Sequence, residues 1–162
     1  MTWTAPKTWA ADELVTATDF NTHLRDNLLA LKQPPSQQIV RLNAASYTTT
    51  STSFVTVDDT NLKITLTSYG GDVLIWVNAT ANTNGSYSLM LTVSIDGVDQ
   101  GPANGLTYVY GSNVTPLSWV LLVSGIAAGE HSYRLRFRVS GGTGTLLSNA
   151  NVPVILGVRE VS

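Results

Sequence analysis

Residues 87–96 read YSLMLTVSID and residues 131–140 read HSYRLRFRVS, and these two stretches decide the fold. In the first, Tyr87, Leu89, Leu91, Val93 and Ile95 alternate with Ser88, Met90, Thr92, Ser94 and Asp96. In the second, Tyr133, Leu135, Phe137 and Val139 alternate with Ser132, Arg134, Arg136 and Arg138. A strand turns successive side chains to opposite faces, so a period of two gives one face to a core and the other to water. Leu62, Ile64 and Leu66 repeat the pattern briefly. Residues 73–77 (VLIWV) and 119–123 (WVLLV) break it, being apolar on both faces. Strands of that kind lie centrally in a sheet or beneath a partner chain.

Working outward, turn signals punctuate these runs: Gly70-Gly71, Asn84-Gly85, Asp96-Gly97, Asn104-Gly105 and Gly141-Gly142. They predict strands at about 38–44, 53–57, 62–68, 72–81, 87–96, 105–110, 117–124, 131–140 and 152–160. No helical pattern intervenes, which argues against parallel βαβ units. The expected fold class is mainly β: an antiparallel, jelly-roll-like β-sandwich over residues 36–162.

The first 35 residues are different and read as an extended N-terminal attachment arm followed by a short α-helix. Thr16-Ala-Thr-Asp19 fits a capping box, with Thr18 as a competing cap. Pro34-Pro35 ends the helix near Leu31 or Lys32, because a proline disfavours helical geometry in the residue before it. Ala17, Asn21, Leu24, Leu28 and Leu31 step by four and three, an a/d-type seam with Asn21 as its polar member. Two readings stay open: an oligomer helix built on Asn21, Leu24, Leu28 and Leu31, or an amphipathic helix packed on its own β-domain.

Composition excludes several functions. Of 162 residues only 12% are charged and the net charge is −2, which gives nucleic acid no basic surface to bind. There is no cysteine, so disulfides and thiolate metal sites are absent. No run approaches the ~20 apolar residues of a membrane-spanning helix, so no membrane insertion is expected. Residues 1–11 lack the basic and apolar regions of a secretory signal. His23 and His131 have no partner at metal-ligand spacing, and no nucleophile elbow or phosphate loop occurs. Asp58-Asp59 and Asp96-x-x-Asp99 read as turn chemistry rather than calcium loops. The expectation is a protein that is not an enzyme, with no cofactor and no metal.

Two groups are candidate ligand contacts. Tyr108, Tyr110 and Trp119 flank a loop rich in Asn, Gly and Ser, a composition suited to sugar stacking, although the plainer reading puts the two tyrosines in the core. Arg134, Arg136 and Arg138 project from one strand face about 7 Å apart. They would suit acidic sugars, a neighbouring subunit's carboxylates, or simply a solvated outer face.

The leader TWTAPKTWAADELVTATDFNTHLRDNLLAL resembles a segment at the start of tailed-bacteriophage structural and tail-associated proteins. Trp3, Pro6, Trp9, Thr16, Asn21, Leu24, Arg25, Asp26, Asn27 and Leu28 carry the resemblance. The phrase GIAAGEHSYRLRFRVSGGTGT is similar to a late strand–turn–strand element of phage fibre and decoration modules. The resemblance implies a tail or neck fibre or a capsid decoration protein on the exterior of a phage particle. It would attach to other virion proteins through Trp3, Pro6, Trp9 and Phe20. It also implies a homotrimer. The alternative is an adhesin module that binds a host surface glycan or receptor.

Overall fold

In the computed structural model, which describes residues 4–42 and 45–161 (with the backbone alone at Ala30 and Lys32), a helical leader precedes the strands. The helix begins as α1 (Ala17–Phe20), widens to a π-helical stretch (Asn21–Asp26) and closes as α2 (Asn27–Lys32). The strands are β1 (Ser36–Arg41), β2 (Tyr47–Thr49), β3 (Val55–Thr56), β4 (Lys63–Ser68), β5 (Gly71–Thr83), β6 (Ser88–Ile95), β7 (Val98–Asp99), β8 (Thr107–Tyr110), β9 (Thr115–Ile126), β10 (Gly129–Val139), β11 (Gly144–Leu147) and β12 (Val154–Val161).

They form two antiparallel sheets. The first runs β1-β12-β5-β9, with β11 and β2 continuing it beside the far end of β5. The second runs β4-β10-β6-β8, with β3 and β7 as short additions. From β2 to β3, β4 to β5, β5 to β6, β8 to β9, β9 to β10 and β10 to β11 the chain changes sheet, the winding of a jelly roll. The expected sandwich is therefore what forms.

Parity along each strand builds the core. Leu91 faces Phe137 and Val93 faces Leu135 across β6 and β10, and all four are buried with Tyr133. Val73, Ile75 and Val77 of β5 close over them from the other sheet. A side chain of this size is worth roughly 1.5–3 kcal/mol when fully buried, so the two quoted runs carry much of the stability. Burial also pushes the Tyr133 hydroxyl up to about 12. At one corner the buried Glu160 accepts from the Ser68 hydroxyl (3.0 Å) and the Tyr69 N–H (2.9 Å), tying β12 to the β4–β5 turn. Asp96 and Gly97 both adopt positive φ (50° and 86°), as a tight Asp-Gly hairpin turn requires.

The nine expected runs all appear. That at 53–57 shrinks to β3, and the expected end of the first at 44 lies outside the described residues. Three short strands, β2, β7 and β11, go beyond the expectation. In the leader the capping box forms as read: the Thr16 hydroxyl accepts from the Asp19 N–H, and Asp19 accepts from the Thr16 N–H.

Candidate functional site

The helix of the leader is not a uniform α-helix, and Asn27 sits at the end of its π-helical stretch. Its side-chain amide donates to the carbonyls of Thr4 (2.8 Å) and His23 (3.3 Å), and its Oδ1 accepts from the Thr4 N–H. A side chain that takes a carbonyl from the helix ladder is an established cause of a widened turn. The π-helical stretch contains Asn21 and Leu24, two members of the five-residue seam. Asn21 is exposed, and the buried polar residue is Asn27.

The arm also departs from an extended form. It folds back on the helix: Lys7 pairs with Glu13 and Asp19 and lies over the Trp9 ring, and Trp9 meets His23 edge-on. Asp19 is drawn down to about 2, first by the Thr16 hydroxyl and N–H and then by Lys7. Pro6, Trp9, Val15, Phe20 and Leu24 line an apolar depression. Phe20, Leu24, Leu28 and Leu31 stay exposed, and no described leader residue joins the hydrophobic cluster of the sandwich. Of the expected attachment residues, Pro6, Trp9 and Phe20 are thus brought together, while Trp3 lies outside the described residues.

The sandwich has two very different outer faces. On the first sheet, register places Leu74 beside Leu122, Trp76 beside Val120, and Val40 beside Ile155. These outward residues make an apolar patch, with Val120 62% and Leu122 54% exposed, bordered by the exposed Arg159 beside Leu74 and by the Asn78–Ser118 pair. Trp76 lies flat across the sheet, over Gly157: a Cβ there would meet the indole at 2.0 Å. So VLIWV and WVLLV are apolar on both faces because one face is core and the other is bare.

The outer face of the second sheet is finished with charge and loops. Arg134 pairs with Asp59 and donates to the Ser132 hydroxyl. Arg136 pairs with Asp99 (2.6 Å) and donates to the Phe54 carbonyl. Arg138 donates to the Thr52 carbonyl (3.2 Å) and to Asn104 Oδ1 (2.9 Å), stacked over the Phe54 ring. The three arginines tie loops from both sides across β10, and their stems cover the strand beneath them.

Tyr108 and Tyr110 belong to this outer face, at 65% and 63% exposure, with Val109 buried between them. Reading them as core is therefore wrong: β8 pairs with β6 so that Tyr108 stands beside the outward Met90. Trp119 parts company with them. It sits on β9 in the other sheet and packs inward against the core.

His131 Nδ1 lies 2.7 Å from Asp96, and Nε2 lies 3.0 Å from the Ala127 carbonyl. Both ring nitrogens face acceptors, so the doubly protonated form fits best, and the Asp96 carboxylate raises the His131 pKa. Asp96 is lowered in turn, chiefly by the Ser132 N–H. Ser132, although adjacent, bonds to Asp96 rather than to His131, which is no nucleophile–base relay. Asp58 caps its turn by accepting from the Thr60 and Asn61 N–H groups.

No protein-family model matches the chain, and no curated protein matches it. Among solved structures, that of Eiger TNF from S. frugiperda aligns with 80% of this chain and 95% of its own length, at 13% identity and a TM-score of 0.45.

Proposed function

We propose that the chain is a non-enzymatic structural protein of a tailed-bacteriophage particle, a fibre or decoration protein whose sandwich projects from the exterior and whose leader attaches it. The projecting domain is a homotrimer whose copies meet through the outer face of β1-β12-β5-β9. The observation that carries this reading is the bare apolar face around Trp76, Val120 and Leu122, set against an opposite face whose centre is covered by arginine ion pairs and loops. Burying such side chains is worth about 25 cal/mol per Å² removed from water.

Attachment is supported by the leader's separateness. It folds on itself through Asn27 and Lys7, contributes nothing to the sandwich core, and leaves Trp9, Phe20 and Leu24 around an apolar depression. Aromatic anchors of this kind dominate binding hot spots.

The test is immunogold electron microscopy of tailed particles produced by the encoding genome, with antibody against the whole chain. Gold at regular positions on the particles is the expected result. Unlabelled particles, with all of the chain in the soluble fraction, would overturn the virion role. The adhesin reading has one observation of its own, the depression beside Tyr108, which lies away from the associating face.

A further inference from the structure

We propose that the depression between Tyr108 and Arg138 binds a carboxylate-bearing sugar. It lies on the outer face of β4-β10-β6-β8 and is lined by Thr52, Met90, Asn104, Tyr108, Arg138 and Ser140. This site does not depend on the proposed self-association, because it is on the opposite sheet and stays open in an assembly.

The starting point is an asymmetry within the arginine ladder. Arg134 and Arg136 each have a carboxylate partner, Asp59 and Asp99. Arg138 has none among the described residues: its bonds go to a carbonyl and an amide oxygen, both neutral. A half-buried guanidinium with no counter-charge is the place where an anionic group gains most.

The same side chain is held ready. Phe54 lies against the guanidinium at 5.2 Å, and Thr52 and Asn104 fix two of its N–H groups. An arginine carries five such donors in a rigid fork, so terminal N–H groups remain for a ligand. Little ordering cost is left to meet on binding.

Register then supplies the second element of recognition. Arg138 pairs with Met90 on one side of β6, and Met90 pairs with Tyr108 on the other. Two strand spacings put Tyr108 and Arg138 about 10 Å apart, with Met90 as the floor between them. A pyranose ring resting on that floor turns its C–H face to the exposed Tyr108 ring and its carboxylate to Arg138. Asn104 and Ser140 stand where hydroxyls need partners. A phosphate backbone is a poorer fit, since the neighbouring arginines are already neutralised and the chain carries net charge −2.

The test is ligand-observed NMR titration of the full chain with a galacturonic acid tetramer, using maltotetraose as the neutral control. Saturable binding of the acidic tetramer and none of the neutral one is expected. Arg138→Gln should weaken that binding by about tenfold or more, the loss of a charge-assisted contact. Tyr108→Ala, at a largely exposed position, should weaken it too, while Tyr110→Ala should not. Thermal melting of each variant checks that the fold persists. Equal binding of both tetramers, binding unchanged in Arg138→Gln and Tyr108→Ala, or no binding of either sugar would overturn the proposal.

Discussion

The two outer faces of one sandwich answer the same physical problem in opposite ways. Over β10 the second sheet ends in Arg134, Arg136 and Arg138, which reach to Asp59, Asp99 and loop carbonyls and cover the strands beneath with their stems. Over β5 and β9 the first sheet ends in Leu74, Trp76, Val120 and Leu122, of which Val120 and Leu122 stay largely exposed. Both sheets share one core, so core packing does not dictate the difference. What it teaches is that a chain short of charge, at 12%, has concentrated the ion pairs of its sandwich over one sheet, where Arg134 and Arg136 meet Asp59 and Asp99. The other side is the one we propose is covered by a copy of the same chain.

The largest effect should come from breaking the bare face. Val120→Glu combined with Leu122→Lys should turn the proposed trimer into a monomer, read by sedimentation velocity. Both residues are exposed in the single chain, so its own unfolding free energy should change by only about 0.5 kcal/mol. A less drastic change, Gly157→Val, must displace the Trp76 indole that lies against it. It should weaken association roughly tenfold or more while leaving the sandwich folded, measured by dilution and by near-ultraviolet circular dichroism.

On the dressed face the expected effects are smaller and of another kind. Arg136→Met removes a half-exposed ion pair and a bond to the Phe54 carbonyl. It should lower stability by about 1 kcal/mol in denaturant titration and leave the mass unchanged. The smallest effect is electrostatic. The Asp96 carboxylate raises the folded-state pKa of His131 above its ordinary 6.5. The pair's stabilisation is therefore full below that value and is lost as pH rises through the raised one. Asp96 is lowered from 3.8, so its share is present above that value and fades only as pH falls through the lowered one. Unfolding midpoints at about pH 6 and about pH 8.5 should differ in the native chain, higher at the lower pH, and His131→Gln should flatten that difference.

Much of this contrast was legible in the sequence, and the rest depended on distance. The alternations at 87–96 and 131–140 are local, so strands, core parity and sandwich class follow from them directly. The doubly apolar runs at 73–77 and 119–123 also announced a face needing cover. Tyr108 and Tyr110 misled because alternation shows that two residues share a face, not which face it is. Only the pairing of Tyr108 with Met90 decides that. The three arginines look equivalent in sequence; Arg138 differs because Asp59 and Asp99, far off in the chain, pair with the other two. In the leader, Thr16 and Asp19 are three residues apart and their capping box could be read. The fold-back of the arm could not, since it rests on Asn27 holding Thr4 from 23 residues away. β2 and β11, at three and four residues, are too short to show a period.

The most direct test is the solution mass of the full chain by sedimentation equilibrium across a wide concentration range. The reading of the bare face requires a mass of three times 17.3 kDa, falling to a single chain in the Val120→Glu, Leu122→Lys variant. A native chain that stays at 17.3 kDa at every concentration would contradict it.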